Sequence, residues 1–363
     1  MSRYFSKRIV ALITGLLLMS ATGFSQLVDV DFLRSAPEDG VKFIEAYISP
    51  WANAFGAGMN GSWYNTAKPH KFSGFDLTLG LNVGMVPTSA KSFDVTEIGL
   101  SNNLSVTGSN TMAPTAAGGL DKGPEMTYSV NQPGFPPVNV ATFNTPPGTS
   151  LGFLPAPTAQ LGIGLPLGTE VKVRYMPTLD IKNGNVGLWG VGLMHSVMQY
   201  IPGSNLLPVD VSLFGAYTKL EANVPLNLEP DGKHTQSYST YNATTDFNDQ
   251  KLGITMSAMN VSAIASVNLP VISFYGGLGY SQTQFKAVMS GNFPLPSVEE
   301  GEVIYNDAGV KTGDDFPEIN VENFSGLRAN IGFRLKFSVI TIHADYTRTQ
   351  YNVLSAGLGI SFR

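Results

Sequence analysis

From Phe75 to Met85 every second residue is apolar. Phe75, Leu77, Leu79, Leu81, Val83 and Met85 alternate with Asp76, Thr78, Gly80, Asn82 and Gly84. The stretch from Leu327 to Phe337 repeats the scheme. There Leu327, Ala329, Ile331, Phe333, Leu335 and Phe337 are set against Arg328, Asn330, Gly332, Arg334 and Lys336. A period of two puts the two sets on opposite faces of a strand. The alternation recurs at 157–165, 169–176, 186–198, 207–220, 252–269, 271–289, 340–349 and 353–362. Such runs exceed the usual strand of about 5–6 residues. They suit a tilted crossing of a bilayer, which takes about 9–11.

The connections alternate in length. Pro166 to Gly168, Pro270–Val271 and Ser338–Val339 are tight turns, whereas 100–154, 221–250 and 291–322 are long and polar. Short turns at one end and long loops at the other mark an outer-membrane barrel. An open sheet edge cannot persist in lipid, so the sheet must close. The expected fold is all-β, a closed antiparallel transmembrane β-barrel over 55–363 with those three segments as extracellular loops. A soluble β-sandwich would show shorter strands and no asymmetry of loop length. Phe55–Tyr64 is expected as an ascending strand before a descending 71–86, and the expected barrel has 12 strands. If 125–131 and 137–143 also reach the membrane, the count is 14.

Before Phe55 the period changes. Ile44, Ile48, Trp51 and Phe55 follow helical spacing. Ser35 and Glu38 fit a capping box, and Pro37 fits a first helical turn. These signals predict a short amphipathic helix over 36–49, ended near Pro50. Two placements of 26–54 stay open: a plug inside the lumen, or a helix against the barrel rim. Residues 1–25 read as a signal peptide. Arg3, Lys7 and Arg8 precede an apolar stretch from Ile9 to Met19, and Gly23 and Ser25 suit cleavage before Gln26. That apolar stretch is too short to span a membrane, which takes roughly 20 residues.

Composition sharpens this picture. Charged residues make up 13% of the chain, about half the usual 25% or so. There is no Cys, which rules out disulfides, thiolate metal sites and a lipid-anchor cysteine. The chain carries 22 basic and 27 acidic residues; without the three basic residues of 1–25 the balance is 19 to 27, or −8. No broad affinity for nucleic acid is expected from that sign.

Candidate chemistry falls on the inward face. A tight turn at 338–339 pairs Arg334 with His343 and brings Asp345 diagonally near Arg334. Around 166–168, Gly164 faces Glu170, Gly162 faces Lys172 and Gln160 faces Arg174. The lumen wall then carries Glu170, Lys172, Arg174, Arg328, Arg334, Lys336, His343 and Asp345. Mixed charge suits ion pairs that stiffen the barrel or seat a plug. The basic strip Lys172, Arg174, Arg328, Arg334 and Lys336 also suits an anionic head group. Phe55 and Trp63 are expected beside a small, partly apolar ligand.

His343 and Asp345 invite comparison with a hydrolase dyad. No nucleophile motif accompanies them, and no G-x-x-x-x-G-K, G-x-S-x-G or H-E-x-x-H occurs. A non-enzymatic protein without cofactor or metal is expected. His195 has lipid-facing parity and suits an interfacial hydrogen bond. The acidic residues of 295–322 match no EF-hand spacing and suit a solvated loop. Leu358, Ile360 and Phe362 end the chain in the manner of an outer-membrane sorting signal.

Three blocks carry a resemblance: AYISPWANAFGAGMNGSWYNTAKPHKFSGFDLTLGLNVGMVP (46–87), PAPTAQLGIGLPLGTEVKVRYMP (155–177) and VGLWGVGLMHSVMQYIP (186–202). The chain resembles a family of uncharacterised secreted proteins of Bacteroidota-type bacteria. That family has no established activity and supplies no catalytic residues. In layout the chain also resembles the FadL and PorV group of outer-membrane barrels. The resemblance implies passive binding or uptake of a small, partly apolar ligand. The alternative is a non-catalytic accessory subunit of a larger outer-membrane assembly. Both place the protein in a bacterial outer membrane, in contact with its lipid, with both termini periplasmic. The second adds other outer-membrane proteins as partners.

Overall fold

The computed structural model describes residues 37–362, except 132, 135, 182–183, 204–207, 227, 229–245, 296, 300–301, 305–309 and 322–323. Residues 1–36, which include the segment expected to be a signal peptide, lie outside the described set. Ten long strands follow the alternating runs: β1 Phe75–Met85, β2 Phe153–Leu165, β3 Thr169–Ile181, β4 Gly184–Ser196, β5 Val209–Pro225, β6 Lys251–Asn268, β7 Ile272–Ser290, β8 Ser325–Phe337, β9 Ile340–Arg348 and β10 Val353–Phe362. Each pairs antiparallel with its neighbours in sequence, and β1 pairs with β10 from Phe75↔Phe362 to Gly84↔Val353. That seam closes the sheet into a barrel and leaves no free edge among the ten.

The barrel therefore has ten strands, not 12 or 14. Phe55–Tyr64 is not a strand. Its alternation of Phe55, Ala57 and Met59 with Gly56 and Gly58 belongs to the last turns of a helix. The segments 125–131 and 137–143 lie in a small separate sheet, in which Glu125–Val130 pairs with Val138–Asn144 and with Leu104–Thr107. One further short strand, Ile319–Val321, pairs with β7 at Phe285–Ala287 without entering the ring.

The two ends differ. Connections 166–168, 197–208, 269–271 and 338–339 cluster at one end with Phe362. The connections 86–152, 226–250 and 291–324 lie at the other, joined by the shorter 182–183 and 349–352. Leu167, Gly168 and Ser338 take φ of 59°, 60° and 56°, which lets so few residues reverse the chain. Because β1 starts beside Phe362, it runs from the short-turn end toward the long-loop end, opposite to the direction expected from the sequence.

The outward face of the barrel is apolar. Leu77, Leu193, Leu213, Leu278, Leu327 and Leu358 are all exposed, Leu327 at 82%. The inward face is polar and buried, so the usual inside and outside are exchanged. Buried apolar side chains come instead from what fills the lumen. A 23-residue helix, α1, spans Pro37–Met59. Among the described residues no helix is long and apolar enough to cross a membrane. Glu38 and Asp39 favour the positive N-terminal end of α1. Phe43, Ile44, Tyr47, Ile48 and Trp51 pack into one cluster with Val86, Leu154, Met256 and Phe285.

The helix does not end at Pro50 but passes through it. Proline removes one ladder hydrogen bond and bends the carbonyls of the preceding turn outward. One such carbonyl, that of Tyr47, accepts the Ala116 amide at 2.9 Å. Packing on nearly all sides stabilises the turn that propensity disfavours. The start of α1, Pro37, stands at the long-loop end. The described residues begin at the long-loop end and finish, at Phe362, at the other; the expected placement of the N-terminus falls on residues outside the described set.

Candidate functional site

Below α1 the chain descends the lumen from Asn60 to Gly74 without regular structure, then turns into β1. Here the inward wall residues meet it. The register is the one expected: Gln160↔Arg174, Gly162↔Lys172, Gly164↔Glu170 and Arg334↔His343. Period two therefore aims Glu170, Lys172, Arg174, Arg328, Arg334, His343 and Asp345 inward, and all seven are buried.

Arg174 and Arg328 reach the end of α1 from two sides of the wall. Arg174 donates from Nη1 to the Met59 carbonyl at 2.8 Å, from Nη2 to Gly61 at 2.6 Å and from Nε to Gln160 Oε1 at 3.0 Å. Its guanidinium lies 3.8 Å from the centre of the Trp63 ring. Arg328 donates to the Asn60 carbonyl at 3.1 Å. A helix leaves its last carbonyls unpaired and carries partial negative charge at that end. Two cations on three successive carbonyls satisfy both conditions. Arginine is suited to this role because its planar fork presents several donors at once.

Lower down, Trp63 and Tyr64 pack with Ala67, Met194, Phe214, Ile264 and Tyr275. Tyr64 donates to Asn330 Oδ1 at 2.8 Å, and Tyr275 donates to Asp345 Oδ2 at 3.1 Å. The backbone of Ala67 is held on both sides: its amide donates to Ser266 Oγ at 3.0 Å and its carbonyl accepts from Ser212 at 2.6 Å.

Near the short-turn end His70, Asp76, Glu170 and Lys172 form a buried charge cluster. The His70 amide donates to Glu170 Oε2 at 2.9 Å, and its ring Nδ1 is the same distance from that oxygen. Its Nε2 meets Ser361 Oγ at 3.0 Å. Lys172 pairs with Glu170 and lies 3.8 Å from Asp76 Oδ1. His70, Asp76 and Glu170 bring metal-ligand atoms together. The Lys172 ammonium already supplies the positive charge between the carboxylates, so the group fits an internal salt bridge better than a metal centre.

Glycines bring the plug close to the wall. A Cβ on Gly84 would lie 1.8 Å from the Ala54 carbonyl oxygen, and one on Gly61 would lie 2.6 Å from Asn82 Oδ1. At the upper end the Tyr47 hydroxyl donates to the Pro147 carbonyl at 2.8 Å, and Trp51 Nε1 donates to Leu151 at 3.1 Å.

Other sequence-predicted positions divide. Trp63 is buried against Arg174, but Phe55 packs with the upper cluster, so the two do not flank one space. Lys336 lies near the 338–339 turn and is only partly buried. Asp345 accepts from Tyr275, while both ring nitrogens of His343 are buried without a hydrogen-bond partner. His195 meets Thr169 Oγ1 at 2.8 Å and the Tyr200 hydroxyl at 3.1 Å. His70, Asp76, Tyr64 and Tyr275 were missed. Asp76 and Tyr275 stand at inward positions of alternating runs and could have been found by parity. His70 and Tyr64 lie where no period exists.

On the outer face a depression of about 650 Å³ crosses β4 to β8. Leu193, Leu213, Gly215, Ala263, Leu278 and Leu327 are among the residues that line it.

The translocator domain of the autotransporter NalP from Neisseria meningitidis aligns over 88% of this chain and 96% of its own, at 11% identity and a TM-score of 0.28. Ail, the attachment invasion locus protein of Yersinia pestis, aligns over 80% of this chain and all (100%) of its own, at 8% and 0.24. A Pseudomonas aeruginosa FadL homologue aligns over 79% and 89%, at 10% and 0.20. Overlaps this loose convey no activity. No curated relative matches the chain. One family model covers residues 1–362, so the chain belongs to DUF6588, a family of unknown function.

Proposed function

We propose that this protein is a bacterial outer-membrane β-barrel whose lumen its own N-terminal segment closes, and that it serves as a non-catalytic anchor or accessory subunit. The continuous apolar outer face supports the membrane placement, since such a face is costly in water and neutral in lipid. The observation that carries the function is the seating of 37–74. Arg174 and Arg328 hold the end of α1, and Trp63 and Tyr64 fill the lumen below it. A conduit would leave that space to solute. What remains available to partners is the long-loop end, built from 86–152, 226–250 and 291–324, together with membrane lipid.

Purification in mild detergent tests this. Stoichiometric co-purification with other outer-membrane proteins is the expected result. A monodisperse monomer carrying bound fatty acid would overturn it in favour of uptake. That second reading, passive binding of a small, partly apolar ligand, is favoured by the depression over β4–β8, which offers an apolar seat reached from the bilayer rather than through the lumen. No catalytic step is proposed for His343 and Asp345.

A further inference from the structure

The chain passes the lumen in one direction. At the long-loop end, Asp39 accepts hydrogen bonds from the Ser101 amide at 2.7 Å and its hydroxyl at 2.5 Å, and Lys42 donates to the Gly99 carbonyl at 2.6 Å. Then come Tyr47 and Trp51, bonded to Pro147 and Leu151 in the connection that leads into β2. The end of α1 meets Arg174 and Arg328 within the wall. Ala67 is bonded to Ser212 and Ser266, near the short-turn ends of β5 and β6. His70 meets Glu170 and Ser361, and Ser73 donates its amide to the Gly164 carbonyl at 3.2 Å beside the 166–168 turn. β1 then starts opposite Phe362.

Ten strands are an even number, so β1 begins at the end where β10 finishes. The luminal pass adds one more crossing. We infer that the chain threads its barrel once from the long-loop end, so that the start of α1 at Pro37 is displayed on the cell surface while Phe362 lies at the periplasmic end. The word surface rests on the outer-membrane reading above; the threading itself does not. Threading also bears on assembly. The β1–β10 seam must close around the N-terminal segment, or the segment must be drawn through after closure.

The chain has no Cys, so single cysteines report position without background. Glu38→Cys probes the exposed start of α1, Asp121→Cys an exposed position in the first long loop, and Pro202→Cys an exposed position in a short-turn connection. Intact cells are treated with a membrane-impermeant maleimide, then compared with permeabilised and with denatured samples. The expected result is labelling of Glu38→Cys and Asp121→Cys on intact cells, and of Pro202→Cys only after permeabilisation. Glu38→Cys labelling together with Pro202→Cys rather than Asp121→Cys would overturn the threading. So would Glu38→Cys that reacts only after denaturation. If Pro202→Cys alone labels on intact cells, the orientation is wrong and display fails with it. In that case threading still stands if Glu38→Cys follows Asp121→Cys. Outer-membrane fractionation of each variant shows that it has folded and arrived.

Discussion

Arg174 concentrates the account in one side chain. It is fully buried, yet its donors are matched by Met59, Gly61 and Gln160, and its face by Trp63. Hydrogen bonds from a charged group contribute about 1.5–3 kcal/mol each, and an abandoned buried carbonyl costs more than a bond never made. Arg174→Met is expected to lower barrel stability by about 3–5 kcal/mol. Thermal unfolding in detergent, followed by loss of the heat-modifiable gel band, measures it. Arg174→Lys keeps the charge but not the fork, and should recover only part. An Arg174→Met barrel as stable as the parent would show that the end of α1 does not depend on this residue. Lys172 makes a separate case. Lys172→Met removes the ammonium that pairs with buried Glu170 and lies near Asp76, a loss of about 3–5 kcal/mol. Adding Glu170→Gln should restore part of it in a double-mutant cycle, and strict additivity would mean that the pair is not coupled.

Among the elements, the strands were legible and the plug was only half so. Each of the ten alternating runs became one strand, because in a barrel the two faces meet opposite media along the whole length. Parity then placed Lys172, Arg174, Arg328, Arg334 and His343 correctly, since a one-residue slip would expel all of them. The error at Phe55–Tyr64 has a specific cause. Small residues at 54, 56, 57 and 58 satisfy a period of two as easily as one of 3.6, so spacing alone does not decide. Pro50 was read as a stop because propensity counts a lost hydrogen bond, not the enclosure that compensates for it. The irregular course of 60–74 left no pattern, which hid His70. Gly84 tests the contact between elements. Gly84→Val should push α1 off β1, since even a Cβ would meet Ala54 O at 1.8 Å. In a Trp189→Phe background the remaining Trp51 and Trp63 are buried. Acrylamide quenching should be low in that parent and should rise on Gly84→Val. Unchanged quenching would show that the wall yields instead of the plug.

At the scale of the molecule, an apolar exterior surrounds a polar, filled interior. The filling is covalently part of the barrel and is held by charge at the end of α1 and again near the short-turn end, which separates this design from an open pore. The central claim is closure, and conductance across a planar lipid bilayer measures it directly. The intact protein is expected to insert without steady current. Deletion of 37–59 should give open-channel steps, because α1 and its aromatic side chains then leave the upper lumen. A steady, ion-carrying pore from the intact protein would contradict the account.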